Sequence, residues 1–419
     1  MISAAMGTTS PGSSRLGALF QRRDVQDGGF VALILMARIP ANAGTAGATI
    51  GVALMCLYLG LRLDQCRDVF QRCRPQLAYP LFALLSTIWA IHPEVTSRAA
   101  VQMILTAFTG LVFSQADRPR AVLVALFIVY SGYTVLSLMV GNTQLDGIEG
   151  IPALVGIGGE AKNYFSNSAA TGVLLALIMA VACFEKRARG LALVSLSIAS
   201  ACLIATVRAH SAGAVASLAL AVALLLPLLA LRRRTPGLKA GLTIAMLIVL
   251  ILGAAFFQPL LTLVQELSAK DAGLTGRGYL WYRAAFIIEE SPWLGTGYFG
   301  FWIPENPDAV GFWRYFHIRQ EGTASSFHNS YIQTIVETGY LGLAVLVMSW
   351  AVGIIGLLRR FVLTPSLPTC FWLSYLALQL SKSPVELVRP AALVPTTIML
   401  FTALGFAGFP VVGQRLSRG

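Results

Sequence analysis

Three side chains in this chain have the types and settings to handle a phosphate-linked substrate: the imidazole of His328 and the guanidinium groups of Arg277 and Arg208. His328 stands in S-S-F-H-N-S-Y-I-Q, residues 325–333. Ser330 followed by Gln333 fits a capping box, which predicts a helix starting near Tyr331 with His328 just outside its N-terminus. The positive end of a helix dipole disfavours imidazolium, so the expectation is a neutral ring able to accept a proton as a general base. A histidine hydrogen-bonded to a loop carbonyl fits the same residues.

Arg277 lies in L-T-G-R-G-Y, where a helix is expected from about Gly278 to the Ser291-Pro292 stop, followed by a glycine turn at Gly295 and Gly297. A cation at a helix start opposes the dipole. Beside two glycines with free backbone N–H groups it would instead form a receptor for a phosphate-type anion. Pairing with Glu289 or Glu290, or with lipid headgroups, is the alternative. Arg208 and His210 are the titratable groups of the tight turn T-V-R-A-H-S-A-G. Arg208 either snorkels to headgroups or faces Arg277 across a bound diphosphate, with Ser211 capping the next helix. Glu160, Lys162, Asn163, Asn167, Lys382, Glu386 and Arg389 rank below these, as interface residues or as lining of the same cavity.

The elements that must position these groups are membrane helices. With 56% hydrophobic and 12% charged residues in 419, the chain reads as an all-α polytopic membrane protein. Apolar windows of about 17–25 residues predict about twelve transmembrane helices, near 28–40, 43–63, 77–92, 97–115, 119–140, 163–184, 189–206, 210–231, 238–259, 334–357, 366–381 and 390–409. The first and eleventh are short for a full span. Basic runs recur at alternate connections, which places both termini in the cytoplasm by the positive-inside rule. The net charge of +12 is therefore a topology signal, and nucleic-acid binding is not expected.

Residues 1–27 read as a disordered cytoplasmic tail without a cleavable signal, and 28–419 as a single transmembrane domain. Within it, 262–333 forms one long outward loop between the ninth and tenth spans. That loop carries Trp281, Trp293, Trp302 and Trp313, so the expectation is a partly helical lid on the membrane surface with Trp and Tyr at headgroup depth. None of the six cysteines falls in an outward loop, and no disulfide is expected. There is no G-x-x-x-x-G-K-[ST], H-E-x-x-H, paired C-x-x-C or G-x-S-x-G motif, so neither nucleotide hydrolysis, a dedicated metal site nor a serine hydrolase is supported, and no cofactor is expected.

With these residues assembled, the chain resembles the bacterial O-antigen ligase and polymerase superfamily. The likeness rests on T-G-R-x-x-x-W at Thr275 to Trp281, S-P-W-L-G-T-G at Ser291 to Gly297, and H-N-S-Y-I-Q-T-I-V-E-T-G-Y-L-G at His328 to Gly342, with weaker similarity in N-Y-F-S-N-S and V-R-A-H-S-A-G. The resemblance implies a GT-C-like, metal-independent, inverting glycosyltransferase with its site on the periplasmic face of the inner membrane. Its donor would be an undecaprenyl-diphosphate-linked glycan, and its acceptor, in ligases, a sugar hydroxyl of lipid A–core.

Carried over, His328 is the catalytic base, and Arg277, Arg208 and Asn329 bind substrate. Val207 departs from the family's usual serine before the arginine of the short turn. A ligase is favoured over a polymerase because no outward arginine is followed eleven residues later by glycine. An O-antigen or exopolysaccharide polymerase is the alternative, protein O-glycan ligation belongs to the same superfamily, and a lipid-linked glycan transporter without chemistry is the alternative from another class.

Overall fold

The computed structural model describes residues 22–39, 44–145, 152–158, 161–255, 276–318 and 325–407. Residues 1–21 of the expected 1–27 tail, residues 262–275 and 319–324 of the long loop, and Glu160 lie outside the described residues, while Arg23 to Asp27, expected in the tail, are helical. The helices, in chain order, are α1 (Arg23–Arg38), α2 (Gly44–Leu61), α3 (Leu63–Arg72), α4 (Arg74–Leu85), α5 (Pro93–Phe113), α6 (Pro119–Val140), α7 (Lys162–Glu185), α8 (Arg189–Arg208), α9 (Ala212–Leu231), α10 (Pro236–Ala255), α11 (Arg277–Glu290), α12 (Pro307–Tyr315), α13 (Ser330–Leu363), α14 (Leu367–Lys382) and α15 (Pro395–Phe406). A helix stands at every one of the twelve predicted windows. Among the described residues seven are long and apolar enough to cross a membrane: α2, α5, α6, α7, α8, α9 and α13. Their outer faces expose Leu57, Ile128, Leu136, Leu193, Val207 and Met348, the pattern of helices facing hydrocarbon. This is a multi-pass membrane protein.

The core is a continuous apolar cluster in which α7 packs on α8, α9 on α14, α15 on α5 and α13 on α4. One feature was not expected from the sequence. After α6 a short antiparallel hairpin forms, β1 (Asn142–Leu145) with β2 (Pro152–Gly156), and the inner strand buries Ala153, Leu154 and Val155.

The loop aromatics pack on one another, which the sequence did not predict. Phe301, Phe312, Trp313 and Phe327 form a second, separate core with Leu280, Ala284 and Ile287 of α11. Three indoles are spent inside it: Trp281 Nε1 donates to the Phe327 carbonyl (2.8 Å), Trp302 Nε1 to Gln333 Oε1 (3.2 Å) and Trp313 Nε1 to Ser325 Oγ (2.9 Å). A buried indole N–H needs a partner, and these bonds lock the loop onto itself. Only Trp293 of the four keeps an exposed ring.

The loop is keyed into α13 by a helix break. Gly339 has φ 67° and ψ −176°, which opens the helical ladder. The S-P-W-L-G-T-G segment fills the gap: Thr296 and Gly297 N–H groups donate to the carbonyls of Val336 and Glu337 (3.0 and 2.8 Å), while Tyr340 and Leu341 N–H groups donate to Pro292 and Trp293 (2.8 and 3.3 Å). A helix can be interrupted at membrane depth when neighbouring backbone satisfies the freed groups. A side chain at Gly339 would collide with the Trp293 carbonyl, and one at Gly295 would come within 2.6 Å of the Glu337 carbonyl carbon. The two recognised motifs are thus the two halves of one joint.

Candidate active site

His328, Arg277 and Glu386 meet at the end of the bundle that carries the hairpin and the long loop. Each arrives on a different element. Arg277 is the first residue of α11, preceded by Gly276 in the left-handed region. His328 sits two residues before α13 with φ 49°, a conformation uncommon for any residue with a side chain. Glu386 lies in the connection between α14 and α15.

Glu386 is the hub. Its Oε1 accepts from Arg277 Nη2 (2.7 Å) and from Asn163 Nδ2 (2.7 Å), and its Oε2 faces His328 Nδ1 at 3.4 Å. The side chains of His328, Arg277 and Glu386 are 40%, 19% and 12% exposed, so the carboxylate is sheltered while the imidazole opens outward. Burial alone would raise the Glu386 carboxyl. The hydrogen bond from His328 and the charges of Arg277 and Lys382 outweigh it and hold the group below its ordinary range.

A carboxylate on Nδ1 requires the ring proton there, which leaves Nε2 of the neutral imidazole as the acceptor. The sequence set His328 against the helix dipole at α13; the structure adds a carboxylate beside its Nδ1. Arg277 commits one nitrogen to Glu386, and its planar fork has further donors.

The Arg208 turn reaches this cluster through its neighbour. Ser211 Oγ donates to Asn163 Oδ1 (2.9 Å), and Asn163 in turn holds Glu386. Ser211 occupies the cap position of α9 but makes no side-chain capping bond, so the expected cap is replaced by this tie. Arg208 itself is exposed at the last turn of α8 and makes no hydrogen bond or ion pair with the described residues. Lys382 Nζ donates to the Asn163 carbonyl (3.1 Å).

The capping box expected at Ser330 and Gln333 is not formed. Asn329 caps α13, its Oδ1 accepting from the N–H groups of Tyr331 (2.9 Å) and Ile332 (3.1 Å), which leaves only its amide nitrogen for a ligand. Ser330 Oγ instead donates to the Glu386 carbonyl (2.8 Å). Arg277 pairs with neither Glu289 nor Glu290.

Sequence reasoning ranked Glu386 and Asn163 low and gave Glu337 no role. Glu337 is buried in the first turns of α13, its carboxylate gripping Arg389 Nη2 (2.8 Å) and the Phe299 N–H (2.8 Å). An ionisable residue in an otherwise apolar helix was the available signal.

Residues 174–347 match the O-antigen ligase family. The chain is also 26% identical over 344 residues to the exopolysaccharide production protein ExoQ of Rhizobium meliloti (strain 1021), an alignment covering 80% of this chain and 77% of that protein. The matched family region contains Arg208, Arg277, His328 and Asn329 and ends before Glu386.

Proposed function

We propose, with its O-antigen ligase family domain and the membrane glycosyltransferase character that domain carries as the premise, that this chain moves a glycan from a polyprenyl diphosphate carrier to a sugar hydroxyl. Nε2 of His328 takes the acceptor's hydroxyl proton as the oxygen attacks the anomeric carbon. The bond from that carbon to the diphosphate breaks on the opposite face, so configuration inverts, and the lipid diphosphate departs with the electron pair. Arg277 and Arg208 stabilise the charge that builds on it, and the free backbone N–H groups of the first turn of α11 add to this. Glu386 holds the imidazole in the accepting tautomer and steadies the imidazolium that forms. The reading is carried by one observation: a single carboxylate binds the candidate base and the candidate phosphate ligand on its two oxygens.

The acceptor divides two readings. Likeness to an exopolysaccharide production protein along four fifths of the chain supports a sugar of another glycan, giving polymer growth. The family description supports lipid A–core, the acceptor preferred on sequence. In both, the alternating basic runs support a site on the periplasmic side of the inner membrane with both termini in the cytoplasm.

Purified protein in lipid nanodiscs, given an undecaprenyl-diphosphate-linked oligosaccharide, tests this with lipid A–core and a second lipid-linked glycan supplied in parallel. Glycan joined to the second lipid-linked unit supports polymer growth, and product on lipid A–core supports ligation. Unaltered donor lipid crossing a vesicle bilayer, with no product on either acceptor, would identify a carrier and end the enzymatic reading.

A further inference from the structure

A buried relay that touches neither His328 nor Glu386 runs behind the pair. Gln333 and Glu337 lie one turn apart on the first stretch of α13, before the Gly339 break. Gln333 Oε1 accepts from the N–H of Phe327 (3.1 Å), the residue before His328, and Gln333 Nε2 donates to Glu337 Oε1 (2.6 Å). The same Glu337 oxygen accepts from Arg389, three residues after Glu386. The backbone carrying the imidazole and the backbone carrying its carboxylate are therefore joined through three side chains.

Stability is a poor account of this arrangement. The side chains of Arg389 and Glu337 are 2% and 1% exposed. Nε and Nη1 of Arg389 make no hydrogen bond among the described residues, and the guanidinium stands over the Tyr298 ring at 5.0 Å. A buried ion pair barely offsets its desolvation, and an apolar pair of similar volume is often equally stable or better; what such a pair brings is registry. Its neighbours agree with that. Ser330 pins the same connection through its N–H to the Ser383 carbonyl (2.9 Å) and through an oxygen that accepts from the Val388 N–H (2.8 Å). The other carboxylate oxygen of Glu337 holds Phe299, so the long loop is fixed to the same post.

We infer that Gln333, Glu337 and Arg389 are positioning residues that fix the separation of His328 from Glu386, and through it the orientation of the base. The inference rests on the proposed role of His328. Single substitutions of Glu337 or Arg389 strand a buried charge and are expected to cost the fold, so the test is the neutral double variant Glu337→Gln with Arg389→Met, alongside Gln333→Leu, which leaves the ion pair intact.

Both variants are expected to fold, with KM for the donor unchanged and kcat about 10–100-fold lower, since a misplacement near 1 Å can cost about 10²-fold. Carbethoxylation of His328 by diethyl pyrocarbonate, followed by mass spectrometry, reads the same contact without any turnover and is expected to be faster in both variants. A folded double variant with wild-type kcat and wild-type His328 reactivity overturns the inference. Inactive wild-type protein whose His328 nevertheless gains reactivity in the variants defeats the proposed function while leaving the relay standing.

Discussion

Two carboxylates at opposite ends of the bundle are each held by an arginine and a further donor, and they have opposite characters. At the basic end, Asp27 Oδ1 accepts from Arg62 Nη2 and Nε (2.9 and 3.0 Å) and from the Tyr58 hydroxyl (3.2 Å). Arg62 also donates to Gln26 Oε1 (3.0 Å) and the Arg23 carbonyl (3.3 Å), and the Arg62 and Asp27 side chains are 5% and 0% exposed. It is a clasp between α1 and the end of α2. Glu386 makes the same kind of contact with Arg277, but its second oxygen goes to an imidazole that faces outward. A carboxylate–guanidinium contact closes a structure when both partners are sealed. It loads a site when one partner opens to a ligand.

The largest effect that sharpens this contrast is expected from His328→Ala. Glycan transfer should fall by about 10²–10⁴-fold, the usual worth of a general base, while the melting temperature stays within a few degrees. Next, Asp27→Asn should lower stability by about 3–5 kcal/mol, because Arg62 is left buried without its counter-charge, yet kcat per folded molecule should not change. Loss of turnover in the folded Asp27 variant would break the contrast outright.

Arg277→Lys keeps the charge and loses the planar fork, so kcat should fall by about 10²–10³-fold. Arg208→Ala, at an exposed position outside the network, should lower kcat by about tenfold, the loss of one charge-assisted hydrogen bond to the departing diphosphate. The smallest signal is in pH. Because the Glu386 carboxyl is held below its ordinary range, its contribution to stability is complete above about pH 4.3 and is lost as pH falls through the lower folded value. Thermal melts of wild type and Glu386→Gln should therefore differ above about pH 5 and converge in stronger acid.

Much of this was legible beforehand. The spans follow from apolar length alone, and α11 begins and ends within a residue of its expected limits because Gly276 and Ser291-Pro292 punctuate it. Arg277 stood out because a cation at a helix start opposes the dipole, and His328 because it precedes a helix N-terminus that favours a neutral ring. What failed did so for a shared reason. The capping box and the Ser211 cap were both read from neighbours in sequence, whereas those side chains bond to distant partners: Ser330 to Glu386 and Ser211 to Asn163.

The sequence alone determined that this chain lives in a membrane, roughly where its helices run, and which motifs it shares with O-antigen ligases, because hydropathy and punctuation act over a few residues at a time. Only the tertiary structure decided that Glu386 joins Arg277 to His328, 109 and 58 residues away, and that the Gly339 break receives the Ser291–Gly297 segment. Those contacts depend on which surfaces of separate helices come within about 3 Å of one another, the range of a hydrogen bond, and no local pattern encodes that proximity.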